Sequence, residues 1–220
     1  MTAFTIVIGN KNYSSWSLRP WLALKATGQP FAEIMIALRQ PDTKALILSH
    51  SPAGKVPVLK HGDLQVWDSL AICEYLAELF PEAGLWPADV RARAVARAVS
   101  AEMHAGFAAL RRDLPMDMAG LSDTTLVPGE EAKADIARVQ QIWQDCRGRF
   151  GDHAEDGGPF LFGRFSLADC MFAPVASRFR SYGVPLEPVS AAYVEAIHAW
   201  PAMQEWCAAA ALEKPLPPAA

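Results

Sequence analysis

Cysteine is scarce and scattered in this chain: Cys73, Cys146, Cys170 and Cys207 are the four, and no two form Cys-x-x-Cys. That spacing excludes the disulfide framework of small secreted domains, and with it a cysteine-built zinc site and dithiol redox chemistry. No metal is expected. Charge of one sign is missing too. Against 24 Asp and Glu stand 20 Lys and Arg, a formal net charge of -4, whereas a nucleic-acid partner requires a concentrated basic patch. Arg91, Arg93 and Arg97 cluster only at helical spacing, the pattern of a solvated face. No run approaches the roughly 18 apolar residues that span a bilayer. Met1–Gly9 is too short for a secretory signal and has no basic region before it. The expectation is a cytoplasmic protein with neither membrane nor nucleic acid among its partners.

What is present is an ordinary globular composition, 51% hydrophobic over 220 residues, enough for one large or two small domains. Phe4 to Ile8 is a short β-branched apolar run closed by Gly9 and Asn10, which predicts a buried strand. Asn10 to Ser15 reads as a loop. Leu18, Trp21, Leu22 and Lys25 then fall at helical intervals until Gly28 and Pro30 stop the helix. Phe31 to Leu38 predicts a second strand, parallel to the first through a right-handed crossover. Pro41 to Leu48 predicts a short helix, and Ser51-Pro52-Ala53-Gly54 a turn. Val56 to Leu59 and Leu64 to Trp67 predict a hairpin turning at His61-Gly62-Asp63. A helix from Ser69 to Pro81 completes a βαβ-α-ββα unit over residues 1–80.

Residues 81–89 hold two prolines and a glycine with little periodicity and read as a linker. Beyond it no convincing strand is found and alanine is abundant. Val95, Val99, Met103, Phe107, Leu110 and Leu114 form an apolar stripe that predicts one long helix. Ile136, Val139, Gln140 and Trp143 mark another, and two more are expected near 166–182 and 200–211. Residues 90–212 should therefore be an all-helical domain, and 213–220 a loose tail.

Four local features carry chemistry. Ser14, Ser15 and Ser17 stand where the first helix opens, beside unsatisfied backbone N–H groups and the positive end of the helix dipole. Each is either a plain N-cap or part of a site for an anion. Val56-Pro57 begins a strand, where proline belongs because it cannot donate to a sheet. A trans bond there is an edge-strand feature; a cis bond would turn the Val56 backbone groups outward to pair with a peptide ligand. Asp68-Ser69 precedes a helix: Ser69 is an N-cap or a cradle for a carboxylate, and Asp68 a receiver of an ammonium or only a preceding residue. Ser166-Leu167-Ala168-Asp169 is a capping-box start to an apolar helix, and its role is structural.

In this order the segments resemble the soluble glutathione transferase family over essentially the full chain. Ser14-Ser15-Trp16-Ser17-Leu18-Arg19-Pro20-Trp21-Leu22-Ala23-Leu24 is similar to the zeta-class motif Ser-Ser-Cys-x-Trp-Arg-x-Arg-Ile-Ala-Leu, with Ser14, Ser15, Arg19, Ala23 and Leu24 in register. Lys55-Val56-Pro57-Val58-Leu59 is similar to the family's cis-proline strand. Asp68-Ser69-Leu70-Ala71-Ile72-Cys73-Glu74-Tyr75-Leu76 is similar to its Glu/Gln/Asp-Ser-x-Ala-Ile-x-x-Tyr-Leu signature. Ser166 to Asp169 matches its helical-domain capping box.

The resemblance implies an α/β plus all-α fold, a thioredoxin-like domain followed by an all-helical one. It implies an enzyme that joins the thiolate of glutathione, its co-substrate, to a small electrophile, or isomerises or dehalogenates one through it. It also implies a homodimer. Ser14 would donate its hydroxyl to the glutathione sulfur, with Ser15 the neighbouring candidate. Val56 would pair with the cysteinyl unit, with Pro57 cis. Asp68 and Ser69 would hold the γ-glutamyl end, and Lys55 would face the glycyl carboxylate. Trp16 stands where the zeta class has cysteine, and Pro20 and Trp21 also depart from it, which puts that class's isomerase chemistry on maleylacetoacetate in doubt. Tyr13 ranks below Ser14, because tyrosine-type relatives place theirs closer to the strand.

The electrophile is expected between the domains. Arg97, Ser100, His104 and Arg111 share one face of the long helix, and Trp16 and Phe107 would supply aromatic walls. The face either receives an electrophile bearing an acidic or polar group, or is solvated and locally packed. A transferase fold kept as a non-catalytic interaction or regulatory module is the alternative. The retained Ser14, Val56-Pro57 and Asp68-Ser69 argue against it.

Overall fold

The computed structural model describes residues 3–120, 126–152 and 157–216. It opens with β1 (Phe4–Gly9), α1 (Ser15–Thr27), β2 (Phe31–Ile36), α2 (Thr43–Leu48), β3 (Val58–His61), β4 (Leu64–Val66) and α3 (Ser69–Leu79). The strands form one sheet in the order β2-β1-β3-β4. β1 runs parallel to β2, from Phe4 beside Phe31 to Gly9 beside Ile36, and β3 is antiparallel to both β1 and β4. This is the thioredoxin-like arrangement. A second, all-helical part follows: α4 (Val90–Ala105), α5 (Ala108–Asp113), α6 (Glu130–Cys146), α7 (Leu167–Ser181), α8 (Pro188–Ala199) and α9 (Pro201–Ala210).

Two helices are buried nearly all round, and they place the site. On α1, Leu18, Trp21, Leu22, Ala23 and Leu24 are fully buried, and the helix packs against α3, α7 and α9. α7 is buried from Leu167 to Phe179. A helix apolar on every side belongs at the centre of a structure, and here the central helices of the two parts pack on each other within one continuous core. The N-terminus of α1 therefore opens at the seam. Gly28, at φ 70, ends α1 in the left-handed conformation that glycine adopts without steric cost.

Three expectations need correction. The stripe from Val95 to Leu114 is not one helix: α4 stops at Gly106 and Phe107 takes a left-handed φ of 57 before α5 begins. The apolar residues keep facing the core, so periodicity conceals the break. A Cβ at Gly106 would lie 2.8 Å from the Glu102 carbonyl oxygen, so the chain turns there on the residue that has none. The second is α8, unforeseen in the sequence although Pro188 at its first turn and Tyr193, Val194 and Ile197 on its buried face mark it. The third is Glu213, assigned to a loose tail: its carboxylate accepts the N–H groups of Lys11 and Asn12 at 2.7 and 3.1 Å. The rest of that tail from 217 on lies outside the described residues.

Candidate functional site

The site begins where β1 ends. A Cβ on Gly9 would meet the Leu38 side chain at 2.9 Å, so any larger residue at the strand end would have to push that leucine aside. Asn10 then organises the turn. Its side chain accepts the Leu38 N–H at 2.7 Å, and its carbonyl accepts the N–H groups of Tyr13 and Ser14. Asn12 ties the turn to the helical part, accepting from Ala119 N–H at 2.7 Å and donating to Asp117 at 2.9 Å.

Ser14 occupies the N-cap position of α1 but makes no capping bond with its side chain. Its Oγ lies instead 2.7 Å from the Oγ of Ser17, which accepts the Gly9 N–H at 3.1 Å. The plain N-cap reading therefore fails for the Ser14 hydroxyl. Ser15, the first residue of α1, is buried beside it.

A cavity of about 660 Å³ lies against this turn, within the usual range for a small-molecule site. Ser14, Ser15 and Trp16 line it with Lys55, Val56, Pro57 and Asp68, and Tyr13, Leu38 and Trp67 complete much of the wall. The Val56–Pro57 bond is cis. Asp68, not Ser69, caps α3, accepting the Leu70 N–H at 2.8 Å. Ser69 is buried just inside the helix, and its Oγ has no hydrogen-bond partner among the described residues.

Trp16 carries the cavity wall to the helical part. His104 meets its ring edge-on at 5.2 Å, and the guanidinium of Arg111 lies 5.3 Å from the ring centre. Arg19 stacks closer, at 4.3 Å. Its guanidinium is fully buried and none of its three nitrogens finds a hydrogen-bond partner in the protein. Burial, then Arg178 and Arg111, brings Arg19 down to about 9. Burial, then Arg111, brings Arg178 down to about 10, although its guanidinium donates to the carbonyls of Leu114 and Pro174. Burial lowers Arg111 as well. All remain cations at neutral pH, so the region behind Trp16 is electropositive. His104 Nε2 also approaches Asp68 at 3.4 Å, bridging the two parts.

Other expected members lie elsewhere. Phe107 is buried in the core and is not part of this cavity wall. Arg97 turns to Glu74 at 3.4 Å and to the Trp86 ring. Sequence reasoning left Ser17 as either a cap or part of an anion site, without tying it to Ser14, and gave Arg19 no role. The Ser-x-x-Ser spacing, which sets both hydroxyls on one side of a helical turn, was the available signal for Ser17. None of the four cysteines lines the cavity, and burial pushes Cys73 and Cys146 up to about 12. Among the described residues no group of His, Cys, Asp and Glu could hold a metal, and no helix is long and apolar enough to cross a membrane.

Residues 13–79 match the family model for the glutathione S-transferase N-terminal domain, and residues 88–209 that for the C-terminal domain. The chain is 54% identical over 81 residues to glutathione S-transferase 1 of Dianthus caryophyllus, a match spanning 37% of this chain and only 36% of that protein. To glutathione S-transferase Z2 of Arabidopsis thaliana it is 27% identical over 207 residues, 88% of each. A glutathione transferase homolog from Burkholderia, solved with bound glutathione, superposes with a TM-score of 0.70 at 25% identity, covering 94% of this chain and 97% of that one.

Proposed function

The chain belongs to the glutathione S-transferase family, and from that premise we propose that it is a glutathione-dependent transferase in which the Ser14 hydroxyl holds the co-substrate sulfur as a thiolate. One observation carries the reading. Ser14 opens a central helix without capping it with its side chain, and it lines the same cavity as Val56 and Asp68.

A free thiol has a pKa of about 8.5, so only a few per cent is ionised at neutrality. A hydrogen bond to a charged acceptor is worth about 1.5–3 kcal/mol, and one pKa unit about 1.36 kcal/mol. One serine donor thus lowers a bound thiol by about one to two units. The helix N-terminus adds a smaller share. Ser14 is a donor here, not a nucleophile or base, and it needs no His or Asp partner. The buried protein thiols, pushed upward, supply no competing nucleophile.

We assign residues 1–80 to glutathione and 90–212 to the electrophile. Val56 pairs through its backbone with the cysteinyl unit, Asp68 and Ser69 hold the γ-glutamyl end, and Lys55 at the exposed rim faces the glycyl carboxylate. The unpartnered Ser69 Oγ supports that assignment. The thiolate sulfur forms a bond to the electrophilic carbon, and the displaced group departs with its bonding pair. Holding both reactants together supplies much of the acceleration. Trp16, His104 and Arg111 form the electrophile side, and the electropositive ground behind Trp16 favours a substrate bearing a carboxylate. The protein works as a homodimer in the cytoplasm.

The test is titration of the bound glutathione thiol by ultraviolet absorbance, with turnover, in Ser14→Ala and Ser14→Ala/Ser15→Ala. A rise of about one to two units in thiol pKa is expected. Unchanged ionisation and turnover in the double variant would sink the serine reading. Retention on immobilised glutathione without turnover of any electrophile would favour the non-catalytic alternative.

A further inference from the structure

Ser17 lies outside the cavity, fully buried one turn into α1, yet it touches the residue on which the proposed chemistry depends. We propose that Ser17 is a positioning residue, a hydroxyl relay fed by the Gly9 amide that directs the Ser14 proton toward the glutathione sulfur. This rests on the reading of Ser14 given above.

The argument is one of donors and acceptors. An amide N–H can only donate, so the 3.1 Å bond from Gly9 occupies one lone pair of the Ser17 Oγ and fixes the sense of the chain at that end. The 2.7 Å contact between the Ser17 and Ser14 hydroxyls can run either way. If Ser14 donates to Ser17, its only hydrogen is taken and nothing is offered to the sulfur. If Ser17 donates to Ser14, the order is Gly9 N–H to Ser17 O–H to Ser14 O–H, and the last hydrogen is free to enter the cavity that Ser14 lines.

A thiolate accepts that hydrogen and so selects the second arrangement. A protonated thiol can itself donate to the Ser14 Oγ, which selects the first. The two hydroxyls therefore turn together as the sulfur gains or loses its proton. Because hydrogen bonds in a chain polarise one another, the amide strengthens the last donor as well as orienting it. Gly9 is itself held: it pairs with Ile36 in the sheet. The relay is anchored in the strand, not in the side chains of the cavity.

Ser17→Ala, Ser14→Ala and the double variant should be saturated with glutathione and the bound thiol titrated in each. Ser14→Ala is expected to raise the thiol pKa by about one to two units. Ser17→Ala should raise it by about half a unit to one, roughly a three- to tenfold fall in thiolate at a fixed pH below the pKa. In the Ser14→Ala background, removing Ser17 should add nothing, and Ser17→Thr, which keeps the hydroxyl, should stay at the wild-type value. Should Ser17→Ala fail to fold, Ser17→Cys fills nearly the same space with a feeble donor and is expected to shift the pKa in the same direction. An equal shift with and without the Ser14 hydroxyl, or no shift in either background, overturns the relay and leaves Ser14 standing. No shift in Ser14→Ala overturns the function proposed above and the relay together.

Discussion

A buried serine stands at the start of three helices in this molecule, and the three hydroxyls are used differently. At α7 the residue is Ser166, and its side chain and backbone N–H both donate to Asp169 at 2.9 and 2.8 Å in a capping box. Asp169 also accepts from Leu161 N–H and from the Tyr193 hydroxyl, so every group there has a partner inside the protein. At α1 and α3 the arrangement is left open. Ser14 makes no capping bond with its side chain, and the Ser69 Oγ has no hydrogen-bond partner among the described residues. A buried hydroxyl without a partner costs about 1–3 kcal/mol. The helical part spends its serine inside its own hydrogen-bond network, and the function proposed above has the serines of the thioredoxin-like part meet a ligand instead.

That contrast can be broken by substitution, and the largest effect belongs to Asp169. Asp169→Ala strands four donors around one fully buried position and should destabilise the fold by about 3–5 kcal/mol, read from denaturant melts. The folded remainder should keep the wild-type glutathione thiol pKa. Next comes pH. Burial pushes Asp169 up to about 6 against the pull of its hydrogen bonds, from an ordinary value of 3.8. With the folded pKa above the unfolded one, its contribution is fully present below about pH 4 and lost as pH rises through about 6, of order 2–3 kcal/mol. Unfolding free energies measured from pH 4 to 7 should carry that slope, and Asp169→Asn should flatten it.

The open serines should respond in the opposite way. Ser14→Ala should lower turnover at neutral pH by about ten- to a hundredfold, while the melting midpoint shows a stability change within about 0.5 kcal/mol. Ser69→Ala should weaken glutathione binding by roughly 1–1.5 kcal/mol, about tenfold in Kd by calorimetry. Ser166→Ala closes the series at about 1 kcal/mol of stability, with glutathione binding unmoved. If Ser14→Ala destabilised the protein as much as Ser166→Ala does, the distinction between the two uses would collapse.

Much of this was legible in the sequence, for reasons that differ by region. The first part announces itself because its elements are short and punctuated. Gly9, Gly28, Pro30 and Gly62 fall at turns that only a few residues tolerate, and the strands between them are β-branched. The helical part is legible as helix but not in its joints. Val95 to Leu114 keeps one apolar rhythm through Gly106 and Phe107, so no pattern of burial reveals that the axis turns there. The site was half visible. Local motifs mark Ser14, Val56 and Asp68, and the fold carries all three to one cavity. Arg19 lies beyond such reading, since only the packing of α1 against α7 makes a guanidinium disappear beneath Trp16 and beside Arg178. Phe107 illustrates the reverse error, an aromatic at the right rhythm whose ring belongs to the core.

The carboxylate that holds the Lys11 and Asn12 amides has a consequence for how the protein comes into being. Glu213 follows Lys11 by 202 residues, and Asp117 and Ala119, which grip Asn12, also come from the helical part. A growing chain that has left the ribosome with its sheet already formed still lacks the grip on the turn that lines the cavity. The turn written earliest in the polypeptide is thus among the last to be fastened, since the carboxylate that holds it is translated only after α9.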